Sequence, residues 1–191
     1  MSAAAETAKP DEIAVTVTFL EMAAPPPRYP PLPMGRQIAL LGTRDIPHHF
    51  YRYLMDRVGR KWHWVNALRL SDGELAEGLA SPGRDIRVLY LDGAPAGFFD
   101  LKTHLPRSVE LAYFGMMEHA LGQGIGRWFL GAAIEAAWSY SPGIVTVQTC
   151  TLDHPAALPL YQKLGFEPVG QRRETIQPMS FEERAASVMR A

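Results

Sequence analysis

The stretch Glu110–Arg127, ELAYFGMMEHALGQGIGR, decides how the rest of the chain is read. Val109, Leu111 and Tyr113 alternate with Glu110, Ala112 and Phe114. A pleated strand with that alternation puts Glu110 on the face shared by Ala112 and Phe114. Gly122, Gly124 and Gly126 follow at alternate positions, and Ile125, Phe129, Ala132, Ala133 and Ala136 then recur at helical spacing. A glycine run that opens a helix leaves several backbone N–H groups unpaired and pointing one way. A phosphate can approach them closely, and the helix dipole favours its charge. The inference is a diphosphate site. The same run also reads as a plain strand–turn–helix connection whose glycines allow tight packing. Two other phosphate motifs are excluded. A dinucleotide fingerprint needs a third glycine where Arg127 or Phe129 stands, and a P-loop needs Lys then Ser or Thr where Arg127 and Trp128 stand.

Composition narrows the class. The chain has 191 residues, enough for one sizeable domain with extensions, and 47% are hydrophobic, so a full core is available. Lys and Arg number 19 against 20 Asp and Glu, a formal charge of −1 with no basic block. That argues against nucleic acid or an anionic membrane as partner. One cysteine, Cys150, allows neither an internal disulfide nor a cysteine-rich zinc site, and no HExxH pair occurs, so no metal is expected. No apolar stretch reaches the ~18 residues of a membrane span. The first dozen residues lack a basic segment followed by an apolar run and read as a frayed terminus, and a cytoplasmic location is expected.

Taken in order, Ile13–Leu20 reads as a strand. Residues 23–35 carry six prolines and read as an extended surface tether, with docking on a partner the alternative. Gln37–Leu41 is the next strand. Asp45 can cap a helix that has Pro47 in its first turn and ends at Gly59. Ser71 and Glu74 form a capping box. Between these helices Tyr51, Tyr53, Trp62 and Trp64 read as core and interface packing, with an acceptor-pocket wall as alternative. Ile86–Leu91 and Ala96–Leu101 flank Asp92–Gly93, a hairpin signal. The glycine-opened helix runs to about Tyr140, and Ile144–Thr151 follows as a strand. Asp153 can cap a helix from Pro155 to Leu164, and Phe166–Val169 opens a last strand. Residues 180–190 read as a C-terminal helix.

The order predicts an α/β chain of the mixed α+β kind, with a central mixed sheet and helices on both faces. The strands at 109–116 and 144–151 should be parallel neighbours joined by a right-handed crossover, with a ligand beyond their carboxyl ends. Three pieces are expected: a strand and Pro-rich tether at 1–36, a domain at 37–175, and a helix and tail at 176–191. The N-terminal strand can pair across a homodimer.

Three pieces in the expected order resemble the GNAT superfamily of N-acetyltransferases: the early strand 37–41, two helices and hairpin 86–101 before the Glu110 strand, then the glycine run, then a later signature. Leu121, Gly124 and Gly126 align with its pyrophosphate loop, Gln/Arg-x-x-Gly-x-Gly/Ala, with Leu121 replacing Gln or Arg. His154–Phe166, HPAALPLYQKLGF, is similar to its second signature, fitting at Ala157, Tyr161, Lys163, Gly165 and Phe166, with His154 in place of Asn. The resemblance covers roughly residues 37–170. It implies a mostly antiparallel sheet with one splayed parallel pair, and acetyl-CoA as co-substrate between those strands. The implied cofactor positions are Met116, Met117, Leu121, Gly122, Gln123, Gly124, Ile125, Gly126, Arg127, His154 and Lys163. Backbone N–H groups of Gln123–Arg127 would hold the diphosphate, helped by a side chain of Gln123 or Arg127. The Met116 N–H would meet the oxyanion.

The resemblance further implies acetyl transfer to a primary amine, on a small molecule or a protein, by direct attack. The alternative is an acyl-CoA-binding sensor or scaffold without turnover. In some family members a catalytic Glu stands eleven positions before the Gln/Arg of the loop, which is Glu110 here. A carboxyl among apolar strand neighbours is also partly desolvated and so a better base. A solvated strand face or a structural ion pair is the alternative. His119, His154, His48 and His49 are weaker base candidates. Tyr161 matches the residue that protonates the departing thiolate, the alternative being a packed ring with its hydroxyl tied to backbone. Cys150 has no basic neighbour in sequence and reads as a buried strand thiol rather than an acyl carrier.

Overall fold

The computed structural model describes residues 11–190, so most of the expected frayed terminus lies outside the described residues. Seven strands make one sheet: β1 (Ile13–Met22), β2 (Ile38–Gly42), β3 (Arg84–Leu91), β4 (Ala94–His104), β5 (Ser108–Met116), β6 (Ile144–Cys150) and β7 (Glu167–Ile176). Their order is β2-β3-β4-β5-β6-β1-β7. Among the described residues only β5 and β6 pair in parallel, as expected, and the other pairs are antiparallel.

The Asp92–Gly93 turn closes the β3–β4 hairpin with both residues at positive φ, 49° and 86°, the twist that a two-residue hairpin demands. Helices cover both faces of the sheet. On one side lie α1 (His48–Gly59), α2 (Asn66–Arg69), α3 (Asp72–Ala80) and α6 (Phe181–Val188). They close over Ile86, Val88 and Phe98. On the other lie α4 (Gly126–Trp138) and α5 (Ala157–Lys163), over Leu101, Val109, Leu111 and Val147. The Ser71–Glu74 capping box starts α3 as expected. Asp45 does not cap α1: the N-cap is Pro47, with no side-chain bond.

The N-terminal strand holds a central place. β1 lies between β6 and β7, with Val17–Met22 on β6 and Ile13–Glu21 on β7. Its ladder is filled on both sides within the chain over Val17–Glu21, which removes the free edge on which a dimer pairing of this strand was expected. The sequence from 23 to 35 then crosses α4. Pro30 sits so close to Gly131 that a Cβ there would lie 2.5 Å from its Cδ. This cover explains why α4 buries Phe129, Leu130, Ala133, Ile134, Ala136 and Ala137, more than one stripe of a surface helix.

Inside β5 the expected alternation fails at one residue. Asp100 pairs with Tyr113, but Leu101 pairs with Leu111, so Ala112 is an extra residue opposite β4. The bulge reverses the faces beyond it. Val109, Leu111 and Phe114 pack on the α4 side, and Tyr113 packs on the α1 side. Glu110 therefore does not share a face with Phe114.

Candidate active site

The bulge also ends the parallel pairing. β5 follows β6 only from Ser108↔Ile144 to Leu111↔Val147, after which the strands part. Between them opens a cleft of about 460 Å³, floored by Leu111, Ala112 and Val147 and walled by Trp62, Trp64, Tyr113, Phe114, Asp153 and Tyr161. The Met117 N–H donates to the Ala96 carbonyl of β4 at 2.8 Å. Successive strand amides point opposite ways, so the Met116 N–H faces the opening.

The glycine loop lies at the end of β5. Gly122 and Gly124 hold φ of 73° and 75°, a region costly for residues with a Cβ. α4 begins without a side-chain cap, and its first backbone bond is Phe129 N–H to Ile125 O. The N–H groups of Gln123, Gly124, Ile125, Gly126 and Arg127 have no acceptor among the described residues. Five orphan donors at a positive helix end fit a diphosphate.

The side chains around the loop differ from expectation. Gln123 is already engaged: its Nε2 donates to His119 O at 2.6 Å, and its Oε1 accepts from Arg36 Nη1. Arg36 also reaches Asp92 Oδ2 at 2.7 Å, tying the hairpin turn to the loop. Leu121 is exposed and lines the cleft. Met117 is buried in the α1-side core, away from the cleft lining. Arg127 and Lys163 line a different groove.

Tyr161 is buried against Phe114 and Phe166, and its hydroxyl has no hydrogen-bond partner among the described residues. Burial pushes its pKa well up, and the charge of Asp153 adds to this, so the phenol stays protonated. Glu110 lies one residue below the parting of the strands, opposite Lys102 on β4. Its carboxylate is 27% exposed and 4.0 Å from His104 Nε2, with the cleft lining on one side.

Asp153 caps no helix. α5 starts at Ala157 after an uncapped Ala156, which leaves Pro159 in the first turn, where its missing N–H costs nothing. Instead Asp153 Oδ2 accepts from Thr149 Oγ1 at 2.7 Å and Cys150 N–H at 2.8 Å, and Oδ1 accepts from Trp64 Nε1 at 3.3 Å. His154 Nδ1 accepts from Ala156 N–H at 3.1 Å, and its ring meets Trp62 edge-on at 5.2 Å. The aromatic patch therefore divides. Tyr51 is core, bonded to Asp100 at 2.9 Å, while Trp62 and Trp64 wall the cleft. Cys150 is half-buried and lines the cleft rather than being buried in its strand as expected, and burial raises the pKa of its thiol, with Asp153 adding to it. Asp153 and Arg36 are the residues that sequence reading missed. The first offered only a cap signal, and the second only its place after the tether.

Comparison with known proteins fits this architecture. The model of the Acetyltransferase (GNAT) family matches residues 44–166. No curated protein sequence matches the chain. Among solved structures, a GCN5-related N-acetyltransferase from Sphaerobacter thermophilus is similar at TM-score 0.58 and 14% identity, over 86% of this chain and 53% of that one. Another from Kribbella flavida gives 0.56 and 15%, over 88% and 61%. The aminoglycoside N-acetyltransferase AAC(6')-Iy, in complex with CoA, gives 0.51 and 18%, over 73% and 93%. The chain thus spans less than two thirds of the length of the first two. A splayed parallel pair, an orphan-donor loop and a matching profile over most of the chain lead to one statement: the protein belongs to the GNAT acetyltransferase family.

Proposed function

We propose that the protein transfers an acetyl group from acetyl-CoA to a primary amine by direct attack. The observation that carries this reading is the parting of β5 and β6 beyond Leu111 and Val147, beside five unpaired loop N–H groups. Acetyl-CoA supplies an acyl thioester: the C–N bond forms as the C–S bond breaks. The N–H groups of Gln123–Arg127 hold the diphosphate. The Met116 N–H faces the opening and stabilises charge gathering on the carbonyl oxygen. Glu110 takes the proton that the amine must shed, through water where the reach is long. Tyr161 keeps its proton by burial and gives it to the departing sulfur.

Thiol release across a panel of small amines and peptide N-termini tests the reading. Tyr161→Phe is expected to lower turnover by about 10²-fold while leaving CoA affinity within about twofold. Unchanged turnover would remove Tyr161 from the chemistry. CoA binding without turnover on any amine would favour a sensor or scaffold instead.

A further inference from the structure

The sheet is covered unevenly. On the α1 side the packed cluster takes residues from β3, β4 and β5 and none from β6, β1 or β7. Across that bare face, register fixes one lateral row of side chains. Lys102 of β4 stands opposite Glu110 of β5, Glu110 beside Thr146 of β6, Thr146 opposite Glu21 of β1, and Glu21 opposite Glu167 of β7. Paired residues of neighbouring strands share a face. Their chain neighbours Leu111, Val147 and Leu20 pack on the α4 side, so the row lies on the other. Glu21 and Glu167 are like charges set directly opposite each other, which costs stability unless a cation joins them. Neither has an ion-pair partner among the described residues. Lys102 stands three strands from Glu21. Arg172 of β7 is held by Glu174 and lies over the Phe19 ring at 5.3 Å.

The row opens onto the cleft. A narrow groove of about 250 Å³ is lined by Phe19, Glu21, Glu110, Thr146 and Gln148, and Glu110 and Gln148 line the cleft as well. Tyr161, only 6% exposed, lines the same cleft with a hydroxyl that has no partner among the described residues. Two strand spacings separate Glu110 from Glu21 along the row, roughly 10 Å between Cα atoms. An amine with its nitrogen in the cleft can therefore run along the groove and bring a second group to Glu21. Phe19 offers the intervening chain an apolar side, and Glu21 with Glu167 offers its far end a negative one. An alkyl ammonium stays charged at neutral pH, as a lysine does. Resting on the reading of the cleft as an acetyl-transfer site, we propose that the acceptor is an alkyl diamine or longer polyamine whose second ammonium is held between Glu21 and Glu167. Both glutamates stand outside the family-matching residues 44–166. Acceptor selection then falls to the two strands that complete the sheet beside β6.

Titration of the full chain with hexamethylenediamine and with hexylamine, in the presence of CoA and followed by NMR, tests this without turnover. At equal chain length the diamine is expected to bind about tenfold more tightly, the scale of one charge-assisted contact. Raising NaCl from about 50 to about 500 mM should shrink that ratio. Glu21→Gln should bring the ratio close to one by weakening the diamine. Glu167→Gln should lower it in part and guards against a folding defect in the first variant. Equal affinity of the wild type for the two amines, binding of neither, or an unchanged ratio in both variants would overturn the ammonium site. A lysyl-lysine dipeptide bound more tightly than the diamine would overturn the alkyl assignment in favour of a peptide. Thiol release from acetyl-CoA separates this site from the activity. A tenfold binding ratio with no release on any amine would overturn acetyl transfer and leave the ammonium site standing. Release with equal kcat/KM for diamine and monoamine would overturn the ammonium site and leave acetyl transfer standing.

Discussion

The indole N–H of Trp64 donates to the carboxylate of Asp153 at 3.3 Å, joining the segment after α1 to the turn after β6 across 89 positions of sequence. Asp153 then has three donors on it and no cation partner among the described residues, since Thr149 Oγ1 and Cys150 N–H take the other oxygen. Asparagine can accept on one side only, so Asp153→Asn turns an amide N–H2 towards a donor. The expected cost is about 2 kcal/mol, read as a fall of about 4–8 °C in Tm. The same change removes one cause of the raised Cys150 pKa, so the thiol should react faster with a disulfide reagent at neutral pH. An unchanged melting point would show that the aspartate adds nothing to the cleft wall.

Two glycines with empty surroundings should respond in opposite directions. A Cβ at Gly124 or Gly73 meets nothing within 4 Å, but Gly124 holds φ of 75° and Gly73 lies in α3. Gly124→Ala is expected to destabilise by about 1 kcal/mol through backbone strain alone and to weaken CoA binding. Gly73→Ala is expected to stabilise by about 0.5 kcal/mol with CoA affinity unchanged. Thermal melts and titrations of the pair separate conformation from contact.

Alkaline pH should destabilise the fold. Burial raises the pKa of Tyr51, Tyr113 and Tyr161, Tyr113 to about 12, against an ordinary value near 10. Between those values the unfolded chain has lost protons that the folded chain keeps, so stability is whole below pH 10 and drains away above it. Each such phenol contributes a loss of about 1.4 kcal/mol per pH unit across that window. Urea midpoints should therefore fall above pH 10, and less steeply in Tyr161→Phe. A variant as steep as the wild type would argue that Tyr161 ionises freely in the fold.

The contact of Pro30 with Gly131 fixes the proline-rich segment on α4. Gly131→Leu should lift it, since even a Cβ would stand 2.5 Å from the proline ring. Trypsin is then expected to cut after Arg28 several-fold faster than in the wild type, at unchanged global stability to within about 2 kcal/mol. Equal cutting rates would mean that the segment is not held there.

What could be read in advance was local. The capping box, the Asp92–Gly93 hairpin and the glycine loop each write their backbone demand into two or three adjacent residues. Alternation located β5 but could not reveal the bulge at Ala112, because one extra residue leaves the apolar pattern readable while exchanging the faces beyond it. The place of β1 was hidden for a different reason: Val and Thr alternation declares a strand and says nothing of its neighbours. Asp153 before a proline-containing helix carries the mark of a cap, and only the fold brings Trp64 within its reach. Gln123 was expected to face a phosphate, but Arg36 and the His119 carbonyl engage it first.

The siting of β1 bears on how the polypeptide is assembled. β1 leaves the ribosome more than a hundred residues before β6, and among the described residues β7 has no ladder partner until β1 has docked. Ile13 and Ile176 stand side by side at the finish. The sheet is therefore completed only once residue 176 has been made, although β1 is synthesised before the other six strands.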